Sequence, residues 1–213
     1  MPPRDLARLD TRLRDAIAKV CAWWGPTFNG AYTINVKNNR GPSMAMIPAW
    51  RGNPGTMLLR TERTRRGRSP ITHELVHIFA PNANRFVAEG LATYGHEHLG
   101  GQTAYPTFGE DLHIAAKRIA PEVDLETLDA IVTPKGLRIE DRKQQRKAYT
   151  AAGSFVRFLI ETKGMDSFRT LYALTPMVPG ERIPSDPNRW QEVYGEPLGE
   201  LERKWKAFLK NGN

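Results

Sequence analysis

Between Ser69 and His98 two stretches of helical period are joined by a turn too short to let them separate. Ser69-Pro70 reads as a helix start, with Ser69 as N-cap and Pro70 at the first position. The helix is predicted to run to about Phe79. Pro81-Asn82-Ala83-Asn84 reads as a turn. A second helix is predicted from Arg85 to His98, stopped by Gly100-Gly101. Helices joined this tightly are near neighbours, so a residue near the start of the second can face the first.

The first of these helices carries His73-Glu74-Leu75-Val76-His77. Positions i and i+4 lie on one helix face, so both imidazoles can point at one ion. Glu74 is rotated by about 100° from His73 and cannot share the ligand position, but it can reach a water on the metal. Zinc lowers the pKa of such a water, and a carboxylate can take its proton as it attacks a carbonyl. Leu75, Val76, Ile78 and Phe79 are apolar and suit a helix anchored in the core. A catalytic zinc needs three protein ligands. The chain has one cysteine, Cys21, so a Cys-rich site is excluded, as is an intramolecular disulfide. The metzincin offset holds Ala83 and no glycine stands at position 80. The next candidate is Glu89, on the second helix. Taken alone, Glu89 also reads as an exposed helix-start glutamate favoured by the macrodipole.

Phe86-Val87-Ala88-Glu89-Gly90-Leu91-Ala92-Thr93-Tyr94 resembles the third-ligand helix of gluzincin peptidases, whose pattern is Glu-Gly-x-Ala-x-Tyr. The run from Ile71 to Tyr94 is similar to the small bacterial peptidase MA-like proteins. The resemblance implies a zincin-like fold and one Zn2+ held by His73, His77 and Glu89, with Glu74 as general base. It implies a peptide or protein substrate. Eleven residues separate His77 from Glu89, a shorter spacer than in thermolysin or the M1 aminopeptidases. The M1 exopeptidase motif Gly-x-Met-Glu-Asn is missing, the nearest text being Gly41-Pro42-Ser43-Met44-Ala45-Met46, so an endopeptidase is expected rather than an aminopeptidase. The segment Tyr149 to Leu159 is similar to the helix that follows the zinc site in these families, where a tyrosine often faces the metal. Tyr149 could donate its hydroxyl to the oxyanion formed when water adds to a carbonyl. It reads equally as a helix-start tyrosine half-buried in the core. Ala151, Ala152 and Gly153 would let this helix pack closely on the motif helix.

Around this centre the chain reads as α+β. Arg4 to Trp24 is predicted helical, with Leu6, Leu9, Leu13, Ile17 and Val20 at steps of three or four, ended by Gly25-Pro26. Tyr32 to Val36, Met44 to Trp50 and Thr56 to Arg60 are predicted strands, the last two separated by the turn Gly52 to Gly55. Met44 to Trp50 is either an internal strand or an edge able to pair with an extended peptide. Further helices are expected at His113 to Ile119, Leu125 to Ile131, Lys143 to Thr162, Asp166 to Leu174, and Trp190 to Leu209 with a break near Gly195-Pro197. The expectation is one catalytic domain over 1–213. A helix and a short mixed sheet form an N-terminal lobe (about 1–80), and a mainly helical lobe follows (about 81–213), with the active-site helix at the junction.

The other titratable groups receive plainer readings. His96 and His98 are two apart and share no face, so both are expected at a surface helix end. His113 reads as a structural histidine. A zinc-bound histidine needs a carboxylate partner behind it, and Glu97, Glu110 and Asp111 are candidates.

The formal charge is +8, much of it in Arg60, Arg63, Arg65, Arg66 and Arg68. That run reads as a solvated loop flanking the cleft mouth, since it lacks the interleaved aromatics of a single-strand binder. Nucleic-acid binding stands as an alternative function, as does a catalytically silent zinc scaffold, although a scaffold has no need of Glu74. Apolar runs such as Val20 to Trp24 fall far short of the roughly 18–20 residues of a membrane span, and MPPRDLARLD has no apolar signal region. The expectation is a soluble monomer, in the bacterial cytoplasm or exported after removal of a leader.

Overall fold

Every third or fourth residue of the first helix is apolar, and burying that stripe is what holds it. The computed structural model describes residues 1–25, 31–38, 41–47, 55–131, 139, 141–177 and 184–212. Helix α1 spans Pro3–Trp24 and buries Leu9, Leu13, Ala16 and Val20. Leu6 and Ile17, expected on that stripe, are exposed instead. The buried line steps through Ala16, whose small side chain admits close approach. Gly25, at φ 117°, ends the helix and bonds back to the Cys21 carbonyl.

Three strands follow: β1 (Thr33–Lys37), β2 (Met44–Met46) and β3 (Thr56–Arg60). β3 is central, parallel to β1 and antiparallel to β2, so the sheet is mixed. Met57 and Leu59 put its side chains into the core. β2 is an edge strand among the described residues. The expected continuation of that strand over positions 48–50 lies outside them, as does most of the turn at 52–55.

The arginine-rich run is not a simple loop. Thr61–Arg65 forms a short helix, α2. Arg60 is buried, and its Nε donates to the Pro42 carbonyl at 2.8 Å. Arg65 approaches Asp5 at 3.5 Å and Arg66 pairs with Glu62 at 2.7 Å. The Thr64 hydroxyl donates back to the Arg60 carbonyl, and its oxygen lies 2.9 Å from Ser69 Oγ. Ser69 is therefore not a cap. Helix α3 runs Ile71–Phe79, preceded by Pro70, with no side-chain cap. Its residues are buried apart from His73, which is partly covered.

Helix α4 (Arg85–His98) keeps the expected bounds. Asn84 caps it, its Oδ1 accepting from Val87 N–H. Asn82 braces the turn, accepting from Asn84 N–H and donating to the Tyr172 carbonyl. Beyond lie α5 (Leu112–Lys117), a 3-10 turn at Ala120–Glu122, α6 (Leu125–Asp129), α7 (Arg142–Lys163), α8 (Met165–Ala173), α9 (Arg189–Tyr194) and α10 (Leu198–Asn211). The expected break near Gly195 separates α9 from α10. The architecture is α+β and mostly helical, with a small three-stranded sheet.

α3 lies between α1 and α4, and α4 packs along α7. The small residues of α7 meet α4 rather than the motif helix. A Cβ at Gly90 would stand 2.7 Å from the Ala152 carbonyl oxygen, and one at Gly153 would stand 2.7 Å from Thr93 Cγ2. Phe155, Trp190 and Trp205 close the core behind this seam. No described helix is long and apolar enough to cross a membrane.

Candidate metal centre

One face of α3 presents both motif histidines, and the turn 81–84 swings α4 back so that Glu89 meets them. His73 Nε2 and His77 Nε2 are 3.2 Å apart. Glu89 Oε2 lies 3.2 Å from His77 Nε2 and 3.3 Å from His73 Nε2. The side chains of His73, His77 and Glu89 are 13%, 8% and 5% exposed, so the cluster is sheltered with one opening at His73. The three groups could hold a metal ion. Bonds of about 2.0–2.1 Å in tetrahedral array put neighbouring ligand atoms about 3.3 Å apart. The observed edges of 3.2–3.3 Å agree with that spacing, and the donor set of two imidazoles and a carboxylate suits zinc. Glu89 is thus a buried partner of the histidines rather than an exposed helix-start residue.

The electrostatics follow from burial. Glu89 would be pushed up by desolvation, but His77, Arg85 and the hydrogen bonds from both histidines outweigh it and hold the carboxyl well below its usual range. Glu74 has weaker support. Burial, with the negative charge of Glu89, raises it to about 7 against the pull of His73, the Ala45 N–H and Arg85. A cation at the neighbouring cluster acts in the opposite direction and favours the carboxylate.

Tyr149 stands on α7, partly buried, with its ring against Tyr105 at 5.3 Å. Burial and the charge of Glu89 raise its pKa, so the phenol stays protonated and remains a donor.

The carboxylates expected behind the histidines serve elsewhere. Glu97 and Asp111 bind Arg157, and Glu110 binds Arg118. The support falls instead to Arg85, whose Nη2 donates to Glu89 Oε1 at 2.5 Å, and to the Ala45 N–H on Glu74. Arg85 is four residues before Glu89, a spacing visible in the sequence. No sequence pattern announces Ala45.

His98 is exposed as expected, whereas His96 is buried. Its Nε2 donates to the Gln102 carbonyl at 2.6 Å, and burial lowers its pKa to about 4. The chain returns over it at Gly101, where a Cβ would stand 2.4 Å from the His96 carbonyl oxygen. His113 is structural. Its Nδ1 lies 2.8 Å from Ser154 Oγ and its Nε2 3.4 Å from Glu161. This order of serine, histidine and carboxylate is not a nucleophilic triad. Ser154 is wholly buried and already accepts the Trp205 N–H. A cavity of about 380 Å³ bounded by Tyr94, His98, Asp111, Arg157 and Glu161 lies further along α4, away from the metal cluster.

No family model matches the chain, and neither a curated protein nor a solved structure matches it.

Proposed function

We propose that this protein is a zinc metallopeptidase of the gluzincin type, with His73, His77 and Glu89 as ligands and Glu74 as general base. The observation that carries the reading is the convergence of two imidazole nitrogens and one carboxylate oxygen at tetrahedral spacing, with a fourth, weakly supported acid beside them. Zinc bound there supplies Lewis acidity toward a carbonyl and makes a water acidic near neutral pH.

The chain's own residues do the rest. Glu74, one position past His73, accepts the proton of the attacking water and passes it to the departing amine. Tyr149, kept protonated, donates to the oxygen on which charge develops. Burial of His77 and Glu89 limits competing water, while the more open His73 side admits substrate. A peptide substrate is favoured by strand β2. Among the described residues it is an edge strand, and it packs against α3 with Ala45 near Glu74. An extended peptide added to that edge runs past the general base.

The test is elemental analysis of the purified protein and of Glu74→Gln, with cleavage of a peptide library by both. About one zinc per chain in each, with cleavage only by the unaltered protein, supports the reading. Absence of zinc after zinc addition, or undiminished cleavage by Glu74→Gln, overturns it.

A further inference from the structure

The Glu89 carboxylate is divided between two tasks. Oε2 faces both histidine nitrogens, and Oε1 accepts from Arg85 Nη2. A carboxylate free to rotate can offer a metal one oxygen or both. One already engaged by a guanidinium offers only the other. We infer that Arg85 is a positioning residue for the metal centre: it holds Oε1, so that Glu89 ligates through Oε2 alone and a fourth position stays open. This rests on the zinc reading above.

Arg85 is suited to this in three ways. It lies one turn before Glu89 on α4, so the pair shares a helix face and needs no further element to align it. Its side chain is only 12% exposed, so the contact is shielded from water and salt. The guanidinium is planar and always charged, which fixes the direction of the carboxylate as well as its charge. The charge is also needed locally. A carboxylate that is 5% exposed is costly to bury without a counter-charge in contact, and Arg85 supplies a permanent one. The ligand is therefore aimed before a metal arrives.

The experiment compares the unaltered protein with Arg85→Gln and Arg85→Lys. Zinc affinity is measured by competition with a chromogenic chelator, and the zinc environment by X-ray absorption. Arg85→Gln is expected to bind zinc roughly 10–100-fold more weakly, with an added oxygen neighbour as Glu89 turns both oxygens to the ion. Arg85→Lys keeps the charge but not the planar contact, so it should fall between the two. If Arg85→Gln does not fold, Arg85→Lys decides. Affinity and zinc environment unchanged in the folded variants overturn the inference and leave the peptidase reading intact. No zinc in the unaltered protein overturns both.

Discussion

Ala45 on edge strand β2 lies beside Glu74 on the motif helix α3, its backbone N–H among the groups that favour the carboxylate. A side chain buried on an apolar helix face would otherwise have little reason to hold one direction. The contact places the proposed general base beside the strand proposed to receive substrate, so base and peptide would share one reference frame.

Burial of Glu74 sets an expectation for the metal-free protein. Glu74 titrates near 7 when folded, above its usual 4.5. A raised folded pKa favours the folded state fully below 4.5, and the benefit is lost as pH rises through about 7. Urea unfolding of chelator-treated protein should show stability falling across that window, and Glu74→Gln should remove that part of the slope. Equal slopes in the two proteins would refute the assignment.

His96 gives the opposite dependence. Its pKa is lowered from 6.5 to about 4 by burial. Stability from this residue is complete above 6.5 and lost as pH falls through 4, a difference on the order of 3 kcal/mol. His96→Gln keeps a donor for the Gln102 carbonyl and cannot titrate. Acid unfolding of this variant should begin at lower pH than that of the unaltered protein.

Tyr149→Phe tests the oxyanion role. The phenyl ring preserves the packing against Tyr105, so zinc content and melting temperature should hold. The turnover number is expected to fall about 10²–10³-fold. A fall of less than threefold would assign Tyr149 to packing alone.

Gly90→Ala pits helix propensity against space. Alanine favours a helix by about 1 kcal/mol over glycine. Its Cβ would meet the Ala152 carbonyl oxygen at 2.7 Å, a backbone atom that cannot swing aside. Overpacking costs about 1–3 kcal/mol, so the net effect is a lower melting temperature. Because Gly90 adjoins Glu89, zinc affinity should fall with it. A melting temperature at or above that of the unaltered protein would show that α7 gives way.

Local signals made the centre of the molecule legible. The α3–turn–α4 unit follows from apolar period and from Pro81 to Asn84, both of which act over a few residues. The break at Gly195 and the central strand Thr56–Arg60 were legible for the same reason. What escaped depends on distant partners. Arg60 is buried because a carbonyl eighteen positions away, that of Pro42, accepts its Nε–H. His96 is buried because Gly101 lets the backbone fold over it. Ser69 turns from the helix it was expected to cap because Thr64 offers a buried hydroxyl. Leu6 and Ile17 had the right spacing, but α1 is covered along only one line.

The brace on Asn84 has a bearing on synthesis. Its side-chain amide donates to Asp129 Oδ1 and to Ser185 Oγ, the latter 101 positions downstream, and Arg189 grips the same Asp129 carboxylate. A chain emerging from the ribosome exposes His73, His77 and Glu89 long before it exposes Ser185 and Arg189. The full set of braces on the start of α4, which carries Glu89, forms only once Ser185 and Arg189 have been made. The geometry of the ligand triangle is thereby tied to a segment about a hundred residues downstream as well as to the two motif helices.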